Sequence, residues 1–403
     1  MKIFFSVGEP SGYLHGANLI RELRRQRPEC EFVGYGGPRM AAAGCQLHED
    51  LTQFAVMWFA AVILNLHKFI GLMRRADRYF REERPDAVVL IDYPGFNWWI
   101  AARAKARGIP VFYYGTPQMW AWAGWRVKKM RRYVDHVLCK LPFEVPWFHQ
   151  RHCNATYVGH PYFDEMANQE LDARFIAELL LRGGRMVTIL PGSRTAEVLL
   201  NLPAFLQAAR IVQHEVPSAQ FAIASYNEKQ ADIAREQVTA AGLSIDVFVG
   251  RTPELIHAAD CCLACSGSVS LELLHHQKPT VIHYRIGPFL AVLRWALLKT
   301  RYITLVNMLA SDNIFSRRGE TYDPDAPGAE EVPFPEYLTR HDKAEPMAAH
   351  IVRWLTNEPE RRRRIAQLAR LRARYGHPGA SLRAAEYIVT ALAADTAPRR
   401  ACA

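Results

Sequence analysis

Ala87-Val88-Val89-Leu90-Ile91-Asp92-Tyr93-Pro94-Gly95-Phe96-Asn97 is the stretch that decides the fold. Five apolar residues read as a strand buried on both faces, a carboxylate stands at its carboxyl end, and Pro-Gly turns the chain into a helical pattern over 97–107. The same order recurs on either side of it. Short apolar runs at 2–7, 31–34, 110–114, 134–139 and 155–158 alternate with helical patterns such as 16–26. A second series follows, with strands at 186–190, 219–224, 245–249, 260–264 and 279–283 and helices near 203–214, 228–240 and 268–276. Strands separated by helical segments predict βα units and parallel sheets, an α/β protein. A chain of 403 residues suits two domains of roughly 150–200 residues. Two Rossmann-like domains facing a central cleft are expected, 1–170 and 171–345, joined near 165–185. A helical tail, 346–403, is expected to pack back on the first domain or on a partner subunit.

Hydrophobic residues make up 50% of the chain and charged residues 22%, which excludes a disordered protein. The N-terminus reads as a first strand and lacks the features of a secretory signal, so a cytoplasmic location is expected, with the eight cysteines reduced. Cys262 and Cys265 form a C-x-x-C inside an apolar strand pattern and are read as core. The formal charge of +10 and pI near 9.2 call for an anionic partner. Basic residues cluster after the apolar stretch Phe54 to Leu66 (Lys68, Arg74, Arg75, Arg78) and at Arg126, Lys128, Lys129, Arg131 and Arg132. No helix-turn-helix, zinc finger or RNA-recognition pattern accompanies them, so nucleic acid is not the expected partner. The stretch 54–66 is too short to span a bilayer, which takes about 20 apolar residues. It is either a buried helix or an interfacial one whose basic flank meets anionic headgroups. The run Arg361 to Arg364 reads as a solvated helix face, and the Pro- and Gly-rich segment 318–335 as a connector.

Four groups carry chemistry. Gly8-Glu9-Pro10-Ser11-Gly12 follows the first strand, where two glycines let backbone approach a ligand. Asp92, at a strand end, points to a general base for an attacking hydroxyl or, more plainly, to a cap of the next helix. Pro191-Gly192-Ser193-Arg194 offers free backbone N–H groups and a guanidinium fork to phosphate oxygens. Ser266-Gly267-Ser268 opens a helix whose N-terminus favours a diphosphate, and Glu272, one turn on, is placed for ribose hydroxyls or on a helix surface. Gly12 and Gly16 do not complete a dinucleotide fingerprint, and no cofactor is expected. The only Asp-x-Asp, Asp323-Pro324-Asp325, reads as a turn, and no metal is expected.

These residues come in an order that resembles one family. Gly8 to Gly12, Phe32 to Cys45, Trp120-Ala121-Trp122 with Arg126 to Lys129, Leu141-Pro142-Phe143-Glu144, Val158-Gly159-His160-Pro161, Leu190 to Arg194, Ser266-Gly267 with Leu271-Glu272, and Tyr284-Arg285 strongly resemble lipid-A-disaccharide synthase over about residues 1–310. The resemblance implies a metal-independent, inverting glycosyltransferase of the B type. It would join UDP-2,3-diacylglucosamine to 2,3-diacylglucosamine 1-phosphate, the first domain taking the acceptor and the membrane, the second the UDP-sugar. It makes Asp92 the base and Glu9, Ser11, Gly12, Asn97, Ser193, Arg194, Ser266, Gly267, Ser268, Glu272, Tyr284, Arg285 and Asn307 substrate-binding residues. It favours the interfacial reading, with Val56, Met57, Trp58, Phe59, Val62, Ile63, Leu66 and Phe69 against the cytoplasmic face of the inner membrane. It also implies a homodimer with exchanged C-terminal segments. Tyr13 and Gly95 stand where the family usually has Asp, and Leu305 to Ser311 keeps Asn307 of the family's motif but lacks its proline and its final glycine, Val306 and Ser311 standing there. Two rivals stay open on the residues: a nucleotide-sugar 2-epimerase or B-type transferase with a soluble acceptor, and a lipid-binding paralogue without activity.

Overall fold

The computed structural model describes residues 1–8, 10–51, 66–287, 298–315, 322–324 and 326–396. Glu9 and the expected membrane residues Val56, Met57, Trp58, Phe59, Val62 and Ile63 lie outside them, and Ser11 is described only as a backbone position. The chain divides into two compact units, one of Met1–Ala167 with His377–Ala403 and the other of Asn168–Gly376.

In the first unit seven parallel strands, β1 (Lys2–Val7), β2 (Glu31–Gly36), β3 (Gln46–Asp50), β4 (Ala87–Ile91), β5 (Val111–Tyr114), β6 (His136–Cys139) and β7 (Ala155–Tyr157), lie in the order β3-β2-β1-β4-β5-β6-β7. Central strand β4 is buried throughout, as its unbroken apolar run requires. The chain builds outward from β1 to β3, then returns to the other side of β1 to place β4. Strand order therefore reverses between β1 and β4, and the crevice at their carboxyl ends is where such a sheet binds ligands. Helix Pro10–Gln26 begins at Pro10, not near residue 16, so Gly12 sits in its first turn. Proline suits that start, since its missing N–H would have no helical acceptor.

The second unit repeats the plan with six parallel strands: β8 (Arg185–Leu190), β9 (Ala219–Ser225), β10 (Asp246–Val249), β11 (Cys261–Cys265), β12 (Thr280–Arg285) and β13 (Glu336–Thr339). Their order is β10-β9-β8-β11-β12-β13, with the reversal between β8 and β11. Cys261, Cys262 and Cys265 are buried free thiols in β11, and desolvation pushes the Cys262 thiol up to about 12.

The expected tail is not one piece. Helices Ala344–Thr356 and Glu358–Tyr375 belong to the second unit, where Met347, Ile351 and Trp354 pack with Phe205 and Phe221. Nor are all four arginines solvated: Arg364 is 5% exposed and donates to the Val332 carbonyl at 2.6 Å, and Arg361 pairs with Asp260 and Glu358. Only the last helix, Ala380–Thr396, joins the first unit, burying Ala384, Ala385, Ile388 and Leu392 with Leu19, Ile20 and Leu23 of the helix after β1. Asp164 holds its start, accepting the backbone N–H groups of Ala380 (3.1 Å) and Ser381 (2.8 Å).

Candidate functional site

In the first unit the site is built at the reversal between β1 and β4. Asp92 and Tyr93 both adopt the left-handed region, with φ of 46° and 44°. For non-glycine residues each such conformation costs on the order of 1–3 kcal/mol and persists only where neighbours enforce it. Here the enforcement is explicit. The Asp92 carbonyl accepts hydrogen bonds from Asn97 Nδ2 (2.8 Å) and the Tyr113 hydroxyl (2.6 Å). Asn97 also donates to the Ser6 carbonyl at 3.2 Å and accepts from the Ser6 hydroxyl at 2.7 Å. Asn97, expected to bind substrate, is fully buried, and its amide ties the ends of β1 and β4 to the Asp92 turn. Gly8 gives up its side-chain space to the same turn, because a Cβ there would stand 2.4 Å from the Tyr93 ring. Gly12 faces the carboxylate, its would-be Cβ 3.7 Å from Asp92 Oδ2.

The Asp92 carboxylate meets a cation, Lys140 Nζ lying 3.4 Å from Oδ1 with both side chains mostly buried. Lys140 was not among the expected site residues, although it directly precedes the quoted Leu141 to Glu144. Glu144, fully buried, accepts from the backbone N–H groups of Lys140 (2.9 Å) and Leu141 (3.0 Å), from Trp120 Nε1 (3.0 Å) and from the Thr116 hydroxyl (3.1 Å). Burial pushes its carboxyl up, against the pull of Lys140 and of these donors. Near Lys140 is half-buried His160, held well below the usual imidazole range by desolvation and by the charges of Lys140 and His15.

In the second unit the expected donor residues gather at the reversal between β8 and β11. Gly192 has φ of 121°, and a Cβ on it would stand 2.6 Å from Glu197 Cβ, so glycine lets Glu197 close under the turn. The Glu197 carboxylate accepts the N–H groups of Ser193 (3.1 Å) and Arg194 (3.2 Å) and pairs with the Arg194 guanidinium at 2.9 Å. Those N–H groups, expected to be free for phosphate, already have an acceptor because Glu197 lies in the first turn of helix Thr195–Glu215. The Arg194 side chain remains 80% exposed. Asn201, one turn further, is 1% exposed and draws the strand ends together: Oδ1 accepts from the Arg285 N–H (2.8 Å) and contacts His283 Nδ1 (3.1 Å), while Nδ2 reaches Cys265 Sγ (3.7 Å). Tyr284 is half-buried and Arg285 exposed beside it.

Gly267 and Ser268 are exposed at the end of β11, and the Ser266 hydroxyl donates to the Ile303 carbonyl at 3.2 Å. Glu272 is 5% exposed, in the buried face of helix Val269–His275 and not on its surface. Asn307, expected to touch nucleotide, has its amide committed inward. Its Nδ2 donates to the Phe334 carbonyl (2.8 Å) and to Glu336 Oε2 (2.9 Å), and its Oδ1 accepts the Phe334 N–H (3.0 Å). Glu336 in turn accepts the N–H groups of Ile303 (2.8 Å) and Thr304 (3.1 Å), so Ser266, the 303–307 segment and β13 form one network. Of the two described members of the expected membrane patch, Leu66 is 54% exposed. Phe69 is 9% exposed and meets the Phe96 ring at 5.8 Å, so it belongs to the core: helix Leu66–Glu82 turns Phe69, Leu72, Ala76 and Phe80 inward.

Glu336 carries a pH prediction. Burial raises its carboxyl to about 7, above the unfolded value of 4.5. The folded state thus keeps a proton that the unfolded state has lost, and the stability this gives is complete below pH 4.5 and lost as pH rises through 7, about 3 kcal/mol in all. Thermal unfolding between pH 4.5 and 8 should show that decline in the wild type and a flatter profile in Glu336→Gln. Equal slopes would rule it out.

Comparison with known proteins agrees with this architecture. The LpxB family, lipid-A-disaccharide synthetase, matches residues 3–357. Lipid-A-disaccharide synthase of Anaeromyxobacter dehalogenans is 34% identical over 390 residues, 96% of this chain and 97% of the relative. Among solved structures, UDP-GlcNAc 2-epimerase from Neisseria meningitidis bound to UDP-GlcNAc superposes with a TM-score of 0.61 at 11% identity, covering 97% of this chain and 100% of the other. CalG4, the calicheamicin glycosyltransferase, gives a TM-score of 0.57 at 14% identity, covering 98% and 99%. At such identities the likeness is one of fold, the B-type glycosyltransferase fold. A match across residues 3–357, with a relative one-third identical over nearly the whole length, is decisive at the level of sequence: this chain belongs to the lipid-A-disaccharide synthase family.

Proposed function

We propose that this chain joins UDP-2,3-diacylglucosamine to 2,3-diacylglucosamine 1-phosphate, releasing UDP and the lipid A disaccharide 1-phosphate. The acceptor 6-hydroxyl gives its proton to Asp92 as its oxygen attacks the anomeric carbon of the donor, and the bond to the diphosphate breaks on the opposite side, inverting that carbon. Arg194 balances the charge that develops on the diphosphate, with Gly267 and Ser268 beside it on the donor side. The work of Asn97, Asn201 and Glu336 is to hold those groups. The observation that carries the reading is the Asp92 turn: two consecutive left-handed residues, fastened by Asn97 and Tyr113, hold a carboxylate at the strand-order reversal.

Both sugar substrates carry acyl chains, and the disaccharide made from them keeps these chains, so only the UDP released is free of lipid. The protein accordingly works as a peripheral protein on the cytoplasmic face of the inner membrane, which exposed Leu66 and Ile70 support. No helix among the described residues is long and apolar enough to cross a membrane. A second copy is the proposed partner, exchanging the segment after Gly376.

Purified protein given both acylated substrates should form the disaccharide, and absence of product with and without detergent would sink the proposal. Arg194→Ala should weaken UDP binding by roughly 10–100-fold, the loss of a charge-assisted contact. Calorimetric titration with UDP reads this directly, and unchanged affinity would remove Arg194 from the donor site.

A further inference from the structure

Tryptophan side chains in the first unit divide sharply. Trp98 and Trp120 are buried, and Trp120 is bonded to Glu144, whereas Trp99 is 59%, Trp122 42% and Trp125 60% exposed. The rings of Trp122 and Trp125 lie 6.5 Å apart, and the Arg126 guanidinium stands 4.9 Å over Trp122. Helix Val127–Tyr133 follows at once and exposes Lys128, Lys129, Arg131 and Arg132. Among the described residues none of these four is in an ion pair with a carboxylate. No Asp or Glu occurs anywhere from Tyr93 to Val134.

Topology puts these groups on one edge. The crossovers from β3 to β4, β4 to β5 and β5 to β6 all run in the same direction along the sheet, so right-handed connection lays helices Leu66–Glu82, Pro94–Ala106 and Val127–Tyr133 on one face. Each runs back against its strands, so each begins at the carboxyl edge that holds Asp92. Leu66 and Ile70 lie in the first turns of one helix, Trp99 in the second turn of the next, and Trp122 and Trp125 just before the third. Apolar residues scattered singly over a surface need no explanation, but an aligned row of indoles beside unpaired cations does. Indole, apolar in body with one N–H, prefers the headgroup level of a bilayer, and Lys and Arg beside it are attracted to anionic lipid.

We propose that Trp99, Trp122 and Trp125, with the cationic helix Val127–Tyr133, form a surface that docks on an anionic lipid bilayer. It rests on the reading above that the substrates are acylated, and extends the membrane contact from Leu66 and Ile70 across two further helices. The row borders the edge that holds Asp92, so docking there would keep the acceptor side of the site at the headgroup layer where the acceptor sugar lies.

Flotation with vesicles of phosphatidylcholine alone and of phosphatidylcholine with phosphatidylglycerol tests it. Wild type should float with the anionic vesicles, more weakly as salt rises. Lys128→Gln with Lys129→Gln should weaken that binding roughly 30-fold, at about a fivefold factor for each charge. Trp122→Ala with Trp125→Ala should reduce binding at every salt concentration. Unchanged UDP binding and melting temperature in both variants verify their folding, as expected for exposed side chains. Flotation of both variants at wild-type strength, or no flotation of wild type, overturns the proposal. So does loss of affinity for a single-stranded oligonucleotide with flotation intact, which would mark a nucleic-acid surface. Turnover in detergent separates this from the proposed function: wild type that floats but forms no disaccharide defeats only the reaction, and active variants that float normally defeat only the docking surface.

Discussion

Asp92→Asn lowers turnover by roughly 10²–10⁴-fold while leaving UDP affinity unchanged. The substitution keeps size and shape, and the groups that hold the turn in its left-handed conformation, Asn97 Nδ2 and the Tyr113 hydroxyl, bind the backbone carbonyl of residue 92 and not its side chain. Folding is therefore largely spared, and what is lost is the carboxylate that accepts the acceptor's proton. The neighbouring Lys140, 3.4 Å from Oδ1, orients the carboxylate and loses an ionic partner in the variant. Steady-state rates at saturating substrates measure the effect. Near-normal turnover would take Asp92 out of the reaction and leave it as a turn residue.

The second large effect falls on stability. In Glu144→Ala, four donors that converge on one fully buried carboxylate lose their acceptor: Trp120 Nε1, the Thr116 hydroxyl and the N–H groups of Lys140 and Leu141. At about 1 kcal/mol or more for each buried donor left unpaired, the variant loses on the order of 4 kcal/mol. That is a large part of what holds an ordinary domain together. Urea unfolding of the variant should show it, and Glu144→Gln, which keeps one carbonyl oxygen, should fall between. The same change should reach the site, because Glu144 fixes the backbone of Lys140. A melting temperature like that of the wild type would mean that water replaces the carboxylate.

These residues mark the limit of what can be read along a chain. Asp92 was legible because a lone carboxylate at the end of an uninterrupted apolar run is a strong local pattern. Glu144 was visible as part of a motif without its purpose, since its partners at 116 and 120 come from a different connection. Which way Asn97, Glu272 and Asn307 turn was not legible, because exposed and inward-turned polar residues look alike in sequence. Their direction depends on remote groups, Ser6 for Asn97 and Glu336 for Asn307. Glu197 was passed over for the more conspicuous Arg194, though it is the group that occupies the turn's N–H groups. Strands β3 and β13 escaped for another reason: both are short edge strands, and half-exposed Gln46–Asp50 carries no apolar run.

The order of apolar runs and helical patterns by itself determined that the protein has two parallel α/β units, because strand burial and helix periodicity are written within a few residues. It also placed the chemistry-bearing turns at strand ends. Tertiary structure alone decided which side chains face the ligand edge and which are spent on holding it, and that Phe69 and Arg364 turn inward. It also decided that the expected tail is shared between the units. The reason is physical: a polar side chain's role is set by the donors and acceptors brought to it across the sheet, and these come from positions dozens of residues away.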